Sequence, residues 1–407
     1  MSKQTKQPET IIRSTKTSNK FANTNKKEEL KTFIYEYTNV VKFFIDELWP
    51  LKDLQSLIPK DITNKASTWL SKRAIQAAAK QASGIVRGTK QKDKKRKYVL
   101  KQLREEGYFK KARKLQKVIE KHPISKPELK SVCPELDSRF VQISLENDTS
   151  YDGWLTLSSL GNKLKLVLPF KKTKHFNKML SKGTIKTGIR LSKSGFTFMF
   201  DIPITPKKTS GSKIGLDIGA TNLYTCSDRQ VAKEDKHGHT LSSIMMKLKR
   251  KRKGSKGFQR AASHRENYIN WSINQLNLDK VETLKIENIK YLRFKQNKGR
   301  YLSHFVYTNI FDKIGERCLA SGVQIKRVNP TYTSQRCSEC GWVRKSNRKG
   351  TQFRCTSCGF TAGADLNASF NIALDLPAIG RRERLLHKNR VGFYWHAISK
   401  ESIVPCT

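Results

Sequence analysis

Four cysteines followed by an aspartate are the residues whose types and spacing most directly suggest chemistry. Cys337 and Cys340 form one C-x2-C pair, and Cys355 and Cys358 form a second pair after fourteen intervening residues. Four thiolates at this spacing are typical of a tetrahedral structural zinc site, and the glycine after each pair permits a tight turn that points backbone amides at sulfur. Asp365 follows seven residues after the last cysteine. A zinc module beside an isolated acid, in a very basic chain, indicates an enzyme of nucleic acids rather than an independent zinc finger.

Two further carboxylates stand at apolar segments that read as strands. Asp217 lies among apolar residues in Lys213–Gly219, and Glu287 ends the apolar segment that begins at Val281. A buried carboxylate is costly unless a cation or a strong donor compensates it. Asp365 opens an alanine-rich segment that is predicted to be a helix, where free amides and the helix dipole favour an acid.

Together the three acids predict an RNase H-like nuclease site on two strands and a helix start. Three adjacent negative charges require divalent metal, and two Mg²⁺ ions can activate water and stabilise the leaving oxygen of a phosphodiester. Taken singly, each motif also fits a purely structural role without catalysis: a turn at Asp217, a surface position at Glu287 or a helix cap at Asp365. It is the combination, with the cysteine pairs between the second and third acids, that is specific.

The charge balance points to a polyanionic partner. The 407 residues include 81 Lys and Arg against 34 Asp and Glu, a formal net charge of +47. Such an excess repels itself unless a polyanion neutralises it, so nucleic acid is the expected partner and binding should weaken steeply with salt. A ribosomal or other basic protein is the alternative, but such proteins usually lack the long hydrophobic-patterned half that begins near Phe140.

Cysteine usage and hydropathy bear on the compartment. The four cysteines outside the pairs are scattered singly, at Cys133, Cys226, Cys318 and Cys406. This pattern suits a reducing compartment with a metal site rather than a disulfide framework. The first residues are polar and basic, and no apolar run approaches the ~18 residues of a membrane span. We expect a soluble protein that does not bind a membrane. It would be cytoplasmic and nucleoid-associated, or nuclear in a eukaryotic relative. The oligomeric state stays open.

The periodicity predicts helices in the first third of the chain and strands after it. Glu9–Lys20 is either one lone strand or a disordered arm. Apolar spacing predicts helices over Glu28–Trp49, Ala66–Val86 and Asp93–Ile119. Alternation predicts strands at Phe140–Leu145, Gly153–Leu157, Lys163–Leu168 and Phe196–Ile202. Ile204–Gly211 has the composition of a linker.

Runs of basic residues are the candidates for contact with phosphates. The candidates in the third predicted helix are Lys94, Lys95, Arg96, Lys97, Arg104 and Lys111. Arg250 and Arg252 belong to the basic run Lys247–Lys256, and Arg336 precedes the first cysteine pair. A solvated helix face is the alternative for the first set, and a mobile lid is the alternative for the second run.

The segment Ile214–Leu374 resembles the RuvC nuclease of the TnpB family, transposon-encoded RNA-guided nucleases from which type V CRISPR effectors descend. The resemblance rests on the order and spacing of Gly215–Gly219, Ile286–Asn288, Asn329–Gly341, Phe353–Gly359 and Ala364–Ile372. One departure is Gly363-Ala364-Asp365, where many family members have Asp-Arg-Asp. The acid is kept, while any role of that arginine is lost.

The resemblance implies a multidomain α+β chain with an RNase H-like (RuvC) α/β nuclease domain, an inserted zinc ribbon, a β-barrel-like wedge domain and a helical recognition lobe. Its implied limits are 1–27 for the first wedge strand, 28–131 for the helical lobe, 132–207 for the wedge, 211–330 and 362–378 for the nuclease, 331–361 for the ribbon and 379–407 for a basic and aromatic tail.

The resemblance also implies cofactors, partners and an activity. Asp217, Glu287 and Asp365 would be catalytic and hold two Mg²⁺ ions, and the four paired cysteines would hold one Zn²⁺. A guide RNA would select target DNA, double- or single-stranded, beside a short flanking motif, so base pairing supplies specificity. The alternatives are an RNA-guided repressor that binds without cleaving, a DNA transposase or strand-transferase accessory protein, and a plain zinc-ribbon RNA-binding protein. The intact acid triad favours the nuclease; transposon or CRISPR context stays open.

Overall fold

The computed structural model describes residues 10–51, 54, 58–145, 149–289, 299–377, 379 and 392–396. The chain divides into two compact units, Met1–Pro203 and Ile204–Thr407, and the division falls where the sequence predicts a linker. Both units mix helices and sheets, which confirms a multidomain chain of mixed α and β structure. In the part of the chain described, no helix is long and apolar enough to cross a membrane.

The first unit contains five helices and seven strands among its described residues. The helices are α1 (Thr24–Leu48), α2 (Lys60–Thr63), α3 (Lys72–Glu105), α4 (Phe109–Lys121) and α5 (Lys174–Leu180). The strands are β1 (Thr10–Ser18), β2 (Glu135–Leu136), β3 (Val141–Ser144), β4 (Gly153–Leu157), β5 (Leu166–Phe170), β6 (Thr184–Ser192) and β7 (Gly195–Pro203). They form two antiparallel sheets, ordered β1-β7-β6-β2 and β3-β4-β5.

The second unit contains the candidate chemistry. Its described helices are α6 (Leu241–Arg250), α7 (Lys256–Asn274), α8 (Arg300–Ser303), α9 (Tyr307–Ala320) and α10 (Ala364–Ala373). Its described strands are β8 (Ser212–Asp217), β9 (Thr225–Cys226), β10 (Val281–Glu287), β11 (Gln324–Val328), β12 (Trp342–Val343), β13 (Arg348–Lys349), β14 (Gln352–Arg354), β15 (Thr361–Gly363) and β16 (Phe393–Tyr394).

The helical part of the first unit is continuous where the sequence predicts a break. The predicted helices Ala66–Val86 and Asp93–Ile119 are wrong in their bounds, because α3 runs unbroken from Lys72 to Glu105. The connecting residues include no proline, and one internal glycine costs only about 1 kcal/mol, which tertiary packing overrides. The chain turns instead at Gly107, whose φ of +71° ends the helix before α4 begins.

The N-terminal segment is a strand. All nine residues of β1 pair antiparallel with β7, from Thr10 opposite Pro203 to Ser18 opposite Gly195. The alternative of a disordered arm is therefore wrong for these residues. Strand β6 and helix α5 were not predicted, because charged residues such as Lys186 and Arg190 dilute the apolar pattern of β6 and α5 has only seven residues.

A cluster of phenylalanines fills the core beneath these sheets. The Phe198 ring lies 4.9 Å from that of Phe170, 5.3 Å from that of Phe176 and 6.3 Å from that of Phe196, measured between centroids. We expect Phe198→Ala to destabilise the first unit by about 3–5 kcal/mol, because a buried aromatic leaves a cavity. Thr197→Ala, one residue earlier and only half-buried, should cost under about 1 kcal/mol. Denaturant unfolding monitored by circular dichroism measures both; similar losses would contradict the packing.

The main sheet of the second unit has the order β11-β10-β8-β9. Strands β8 and β11 both run parallel to β10, and β9 runs antiparallel to β8. Helix α10 packs directly on β8 at Gly215, where a Cβ atom would lie 2.1 Å from the Ser369 carbonyl oxygen and 2.4 Å from the Ala373 nitrogen. Only glycine permits this approach, which brings the start of α10 to the sheet edge.

Candidate active site

Asp217 and Glu287 occupy equivalent positions on neighbouring parallel strands. They are the last residues of β8 and β10, and the residues before them, Leu216 and Ile286, are paired in register. Carboxyl ends of parallel strands meet at one edge of a sheet, so both acids reach the same edge. Asp365 lies in the first turn of α10, as the sequence predicts, on the helix that packs against β8.

Burial and mutual repulsion dominate the electrostatics of this edge. Burial, together with the charges of Glu287 and Asp365, raises the pKa of Asp217 to about 8, and Arg348 opposes the shift. Burial also raises the pKa of Glu287, against the Thr333 hydroxyl and Arg348, which lower it. Such a site holds its carboxylates ionised only with added positive charge, which a divalent cation supplies.

The carboxylate cluster is looser than the cysteine cluster. Among the described residues, only Cys337, Cys340, Cys355 and Cys358 bring at least three His, Cys, Asp or Glu ligand atoms all within 4.8 Å of one another. The acids nevertheless fit a hard cation, because carboxylate oxygens are its preferred ligands. The hydroxyl of Tyr307, whose pKa is raised by burial and by the charges of Glu287 and Asp217, is buried and has no hydrogen-bond partner in the described part.

Arg348 is a site residue that sequence reasoning missed. It lies on β13, between the two cysteine pairs, and its Nη2 atom is 3.2 Å from Asp365 Oδ1. Its Nε atom donates to the Gly350 carbonyl, which fixes the guanidinium toward the acids. One arginine in a chain with 81 basic residues carries no distinguishing signal. Only its place between the cysteine pairs, seventeen residues ahead of the third acid, could have suggested it.

The cysteine sulfurs are spaced as zinc requires. Cys337 Sγ lies 3.7 Å from Cys358 Sγ, and Cys340 Sγ lies 3.6 Å from Cys355 Sγ. Four sulfurs about 2.3 Å from a zinc ion define a tetrahedron with edges of about 3.8 Å. A hydrogen bond from the Phe360 backbone lowers the pKa of Cys358 to about 7, so this exposed thiol reaches the thiolate form readily. The four residues therefore fit one Zn²⁺ ion.

The two cysteine pairs have the same backbone geometry. The amides of Gly341 and Gly359 each donate to the carbonyl of the first cysteine of their pair, at 3.1 Å in both cases. Their φ angles are +79° and +78°, a conformation that favours glycine. The amides of Ser357 and Cys358 lie 3.4 and 3.5 Å from Cys355 Sγ. The turn that the sequence predicts after each pair is present.

Arg336 is buried, and the prediction that it contacts nucleic acid is wrong. Only 4% of the residue is exposed. Its Nε atom donates to the Trp395 carbonyl at 2.6 Å, and its Nη1 atom donates to the Cys337 carbonyl at 3.0 Å and to Asn371 Oδ1 at 2.6 Å. The guanidinium therefore links the first cysteine pair to α10 and to the chain near β16. Its hydrogen-bond partners are carbonyl and amide oxygens of the protein rather than phosphate oxygens.

A chain of hydrogen bonds runs from this arginine to Glu287. Asn371 Nδ2 donates to the carbonyls of Arg336 and Thr333, at 2.7 and 2.9 Å. The Thr333 hydroxyl then donates to Glu287 Oε1 at 2.5 Å. Asn367 adds a second link, since its Oδ1 atom accepts from the Ser338 amide at 3.0 Å. Buried polar groups bonded in this way hold one arrangement, so the cysteine module fixes the orientation of a candidate ligand.

The segment 392–396 extends the cysteine module. Strand β16 pairs antiparallel with β12, and the Tyr394 ring lies 4.9 Å from that of Trp342. Trp395 is buried against Val343 and Ile379. The rest of the predicted tail, 380–391 and 397–407, lies outside the described residues.

The other basic candidates lie on helices and a loop. Lys94, Lys95, Arg96, Lys97 and Arg104 belong to the C-terminal half of α3, and Lys111 belongs to α4. Lys97 pairs with Asp93 at 2.8 Å, and Arg96 donates to the His122 carbonyl at 3.1 Å. Arg250 ends α6, and Arg252 lies in the loop before α7; both are exposed. A role of these residues in binding phosphate stays a prediction.

The chain is similar to known proteins, and one family model matches a segment of the second unit. Residues 307–372 match the family model described as Cas12f1-like, TNB domain. Cas12f1 of Sulfoacidibacillus thermotolerans, named as a CRISPR-associated endodeoxyribonuclease, is 30% identical over 138 residues, or 34% of this chain and 32% of that protein. InsQ of Escherichia coli (strain K12), provisionally named as an RNA-guided DNA endonuclease, is 30% identical over 200 residues, or 41% of this chain and 50% of InsQ.

These relatives confirm the resemblance drawn from the motifs: the chain is related to TnpB-like proteins and to Cas12f1. The chain spans about a third of that Cas12f1 and half of InsQ. Among solved structures, a cryo-EM structure titled as a Cas12f1–sgRNA–target DNA complex aligns with 90% of this chain and 99% of the other, at 16% identity and a TM-score of 0.43.

Proposed function

We propose that this protein is an RNA-guided DNA endonuclease that hydrolyses phosphodiester bonds at the edge occupied by Asp217, Glu287 and Asp365. The observation that carries the proposal is the pair of half-buried acids at equivalent ends of neighbouring parallel strands, with the third acid on the helix packed against β8. Relatives named as RNA-guided or CRISPR-associated DNA endonucleases support the substrate.

The proposal includes a fold for each part. The mixed sheet β11-β10-β8-β9 with α10 on its face is interpreted as an RNase H-like (RuvC) core, and the cysteine segment as a zinc ribbon inserted in it. The first unit would provide the helical lobe and the wedge that hold a guide RNA and its duplex with target DNA. The domain limits inferred from the sequence are retained as part of this proposal.

In the proposed mechanism, Asp217, Glu287 and Asp365 would hold two Mg²⁺ ions, and the bound metal would supply activation of water and stabilisation of the leaving oxygen. The protein's own contribution is orientation. Thr333 fixes one oxygen of Glu287, and the first turn of α10, a helix packed on β8, holds Asp365. Arg348 contributes a fixed positive charge at the point where negative charge accumulates on the phosphate.

The experiment that tests the function starts from the nucleic acid that accompanies the protein. The full chain is expressed with its native flanking DNA, purified at moderate salt, and the bound RNA is sequenced. We expect one discrete RNA with a variable end, which then directs Mg²⁺-dependent cleavage of DNA matching that end. Heterogeneous cellular RNA and no guided cleavage would overturn the proposal in favour of an unguided nuclease or a strand-transferase.

Arg348 should affect cleavage far more than its neighbours do. We expect Arg348→Ala to slow cleavage by about 100-fold, because it removes a preorganised donor at the reacting phosphate. Arg354→Ala is the matched control, since Arg354 lies exposed on the adjacent strand β14 and carries the same charge. Single-turnover rates at saturating Mg²⁺ measure the effect. Equal slowing of both variants would show that general charge, rather than the contact with Asp365, is responsible.

A further inference from the structure

The Tyr307 hydroxyl lacks a partner that a buried hydroxyl requires. Its oxygen is inaccessible to solvent and has no hydrogen bond to any described residue. The ring is fixed at the start of α9, with its centroid 5.8 Å from that of Phe305 and 4.6 Å from that of Phe311. Leaving a buried donor unpaired is unfavourable, so an unpaired hydroxyl in a native fold calls for an explanation.

The surroundings of this hydroxyl are the candidate acids. Burial raises the pKa of Tyr307, and the charges of Glu287 and then Asp217 raise it further, while Arg327 lowers it. Both acids are therefore electrostatic neighbours of the phenol, which keeps its proton at neutral pH. Thr333 donates to Oε1 of Glu287, whereas no described residue donates to Oε2. The Tyr307 ring packs on Phe311, whose ring lies 5.3 Å from the Arg327 guanidinium. Arg327 is paired in register with Ile286, the residue before Glu287, so the phenol lies near the end of β10.

On the basis of the function proposed above, we propose that Tyr307 is a positioning residue of the acidic site. Its hydroxyl donates a hydrogen bond to the Glu287 and Asp217 pair, directly or through one water, when a cation is bound. The bond fixes which carboxylate oxygens face the cation, as donors behind metal ligands commonly do. The aromatic contacts with Phe305 and Phe311 hold the ring so that the hydroxyl keeps this direction.

A purely structural role for Tyr307 predicts a different outcome. If only the ring matters, Tyr307→Phe keeps every packing contact and leaves cation binding unchanged. If the hydroxyl positions the acids, the same variant weakens cation binding about 10-fold or more. Because an unpaired buried donor is removed, its metal-free thermal midpoint should not fall in either case. Cation affinity therefore separates the two roles.

The test uses the full chain freed of nucleic acid by high salt, with Mn²⁺ binding followed by electron paramagnetic resonance. Tyr224→Phe is the matched control, since it removes a buried tyrosine hydroxyl from the same unit, one that contacts the Ser272 carbonyl at 3.3 Å. Asp217→Ala identifies the Mn²⁺ that belongs to the acidic site. We expect affinity to fall for Tyr307→Phe and to hold for Tyr224→Phe.

The outcomes separate this inference from the proposed function. Unchanged Mn²⁺ affinity in Tyr307→Phe, with binding lost in Asp217→Ala, overturns the role of Tyr307 and leaves the nuclease site in place. Failure of the parent chain to bind Mn²⁺ at a site sensitive to Asp217 overturns both. With guided DNA as substrate, Tyr307→Phe should also raise the Mg²⁺ concentration required for half-maximal rate about 10-fold, while the KM for DNA stays constant.

Discussion

Asp217→Asn is expected to abolish DNA cleavage while leaving guide RNA and target binding intact. Replacing the carboxylate with an isosteric amide removes a charged ligand from the proposed Mg²⁺ site, and losses of about 10⁴-fold are typical when such a group is removed. Guided cleavage and gel-shift binding are measured on the same preparation. The matched control is Asp228→Asn, an exposed acid in the turn after β9. Cleavage that survives Asp217→Asn would remove the acid triad from the mechanism.

The same substitution should stabilise the metal-free protein. Because burial raises the folded-state pKa of Asp217 to about 8 from a usual value of 3.8, folding must take up a proton or bury a charge. The unfavourable contribution is absent below the unfolded pKa, grows as pH rises between the two values, and is complete above about 8. The gain in thermal midpoint for Asp217→Asn should therefore increase with pH across this window, by about 2–4 °C for each kcal/mol. Thermal scans in EDTA measure it; a gain that shrinks with pH would contradict the assignment.

Cys337→Ser should remove zinc and cleavage together. Structural zinc contributes about 10–16 kcal/mol to the folding of its module, and Cys337 is fully buried among the four sulfurs. Loss of the module would release Arg348 from Asp365 and break the chain of hydrogen bonds from Arg336 to Glu287. Cleavage should fall about 10³-fold or more, since two supports of the acids are lost at once.

Metal content and activity are measured on one sample to test this coupling. Atomic emission should give one zinc per parent chain and none for Cys337→Ser. Cys318→Ser is the control, because it removes a buried thiol of the same unit outside the cluster. That variant should keep its zinc and its activity. A zinc-free Cys337→Ser protein that still cleaves at the parent rate would show that the module does not orient the acids.

The acids and cysteines could be predicted from the sequence because their signals are local. Each acid ends an apolar strand or begins a helix, and each cysteine pair carries its own turn glycine. Arg348, Thr333 and Tyr307 could not be predicted, because their importance comes from which distant residue they meet. The same reason explains the error at Arg336. One more arginine beside a motif is indistinguishable from a phosphate ligand until the carbonyls that surround it are known.

The helical region shows the same limit at the level of elements. The presence of helices follows from apolar spacing, whereas the continuity of α3 depends on packing against α1, which no window of sequence contains. The pairing of β1 with β7 has the same limit. The two segments are far apart along the chain, so no local sequence pattern indicates that they pair. The β-branched composition of β1 is compatible with a strand but does not identify its partner.

The pairing of β1 with β7 also sets the order of events during synthesis. The first strand leaves the ribosome early, but its hydrogen-bonding partner, Gly195–Pro203, is the last element of the unit to be made. At about 5–20 residues per second, β1 waits on the order of ten to forty seconds with an unpaired edge. An unpaired strand of this kind is prone to pair with other chains, and such a non-local closure is slow. The newborn chain is therefore most vulnerable to aggregation in this interval, and binding of β1 by a chaperone would end when residue 203 emerges.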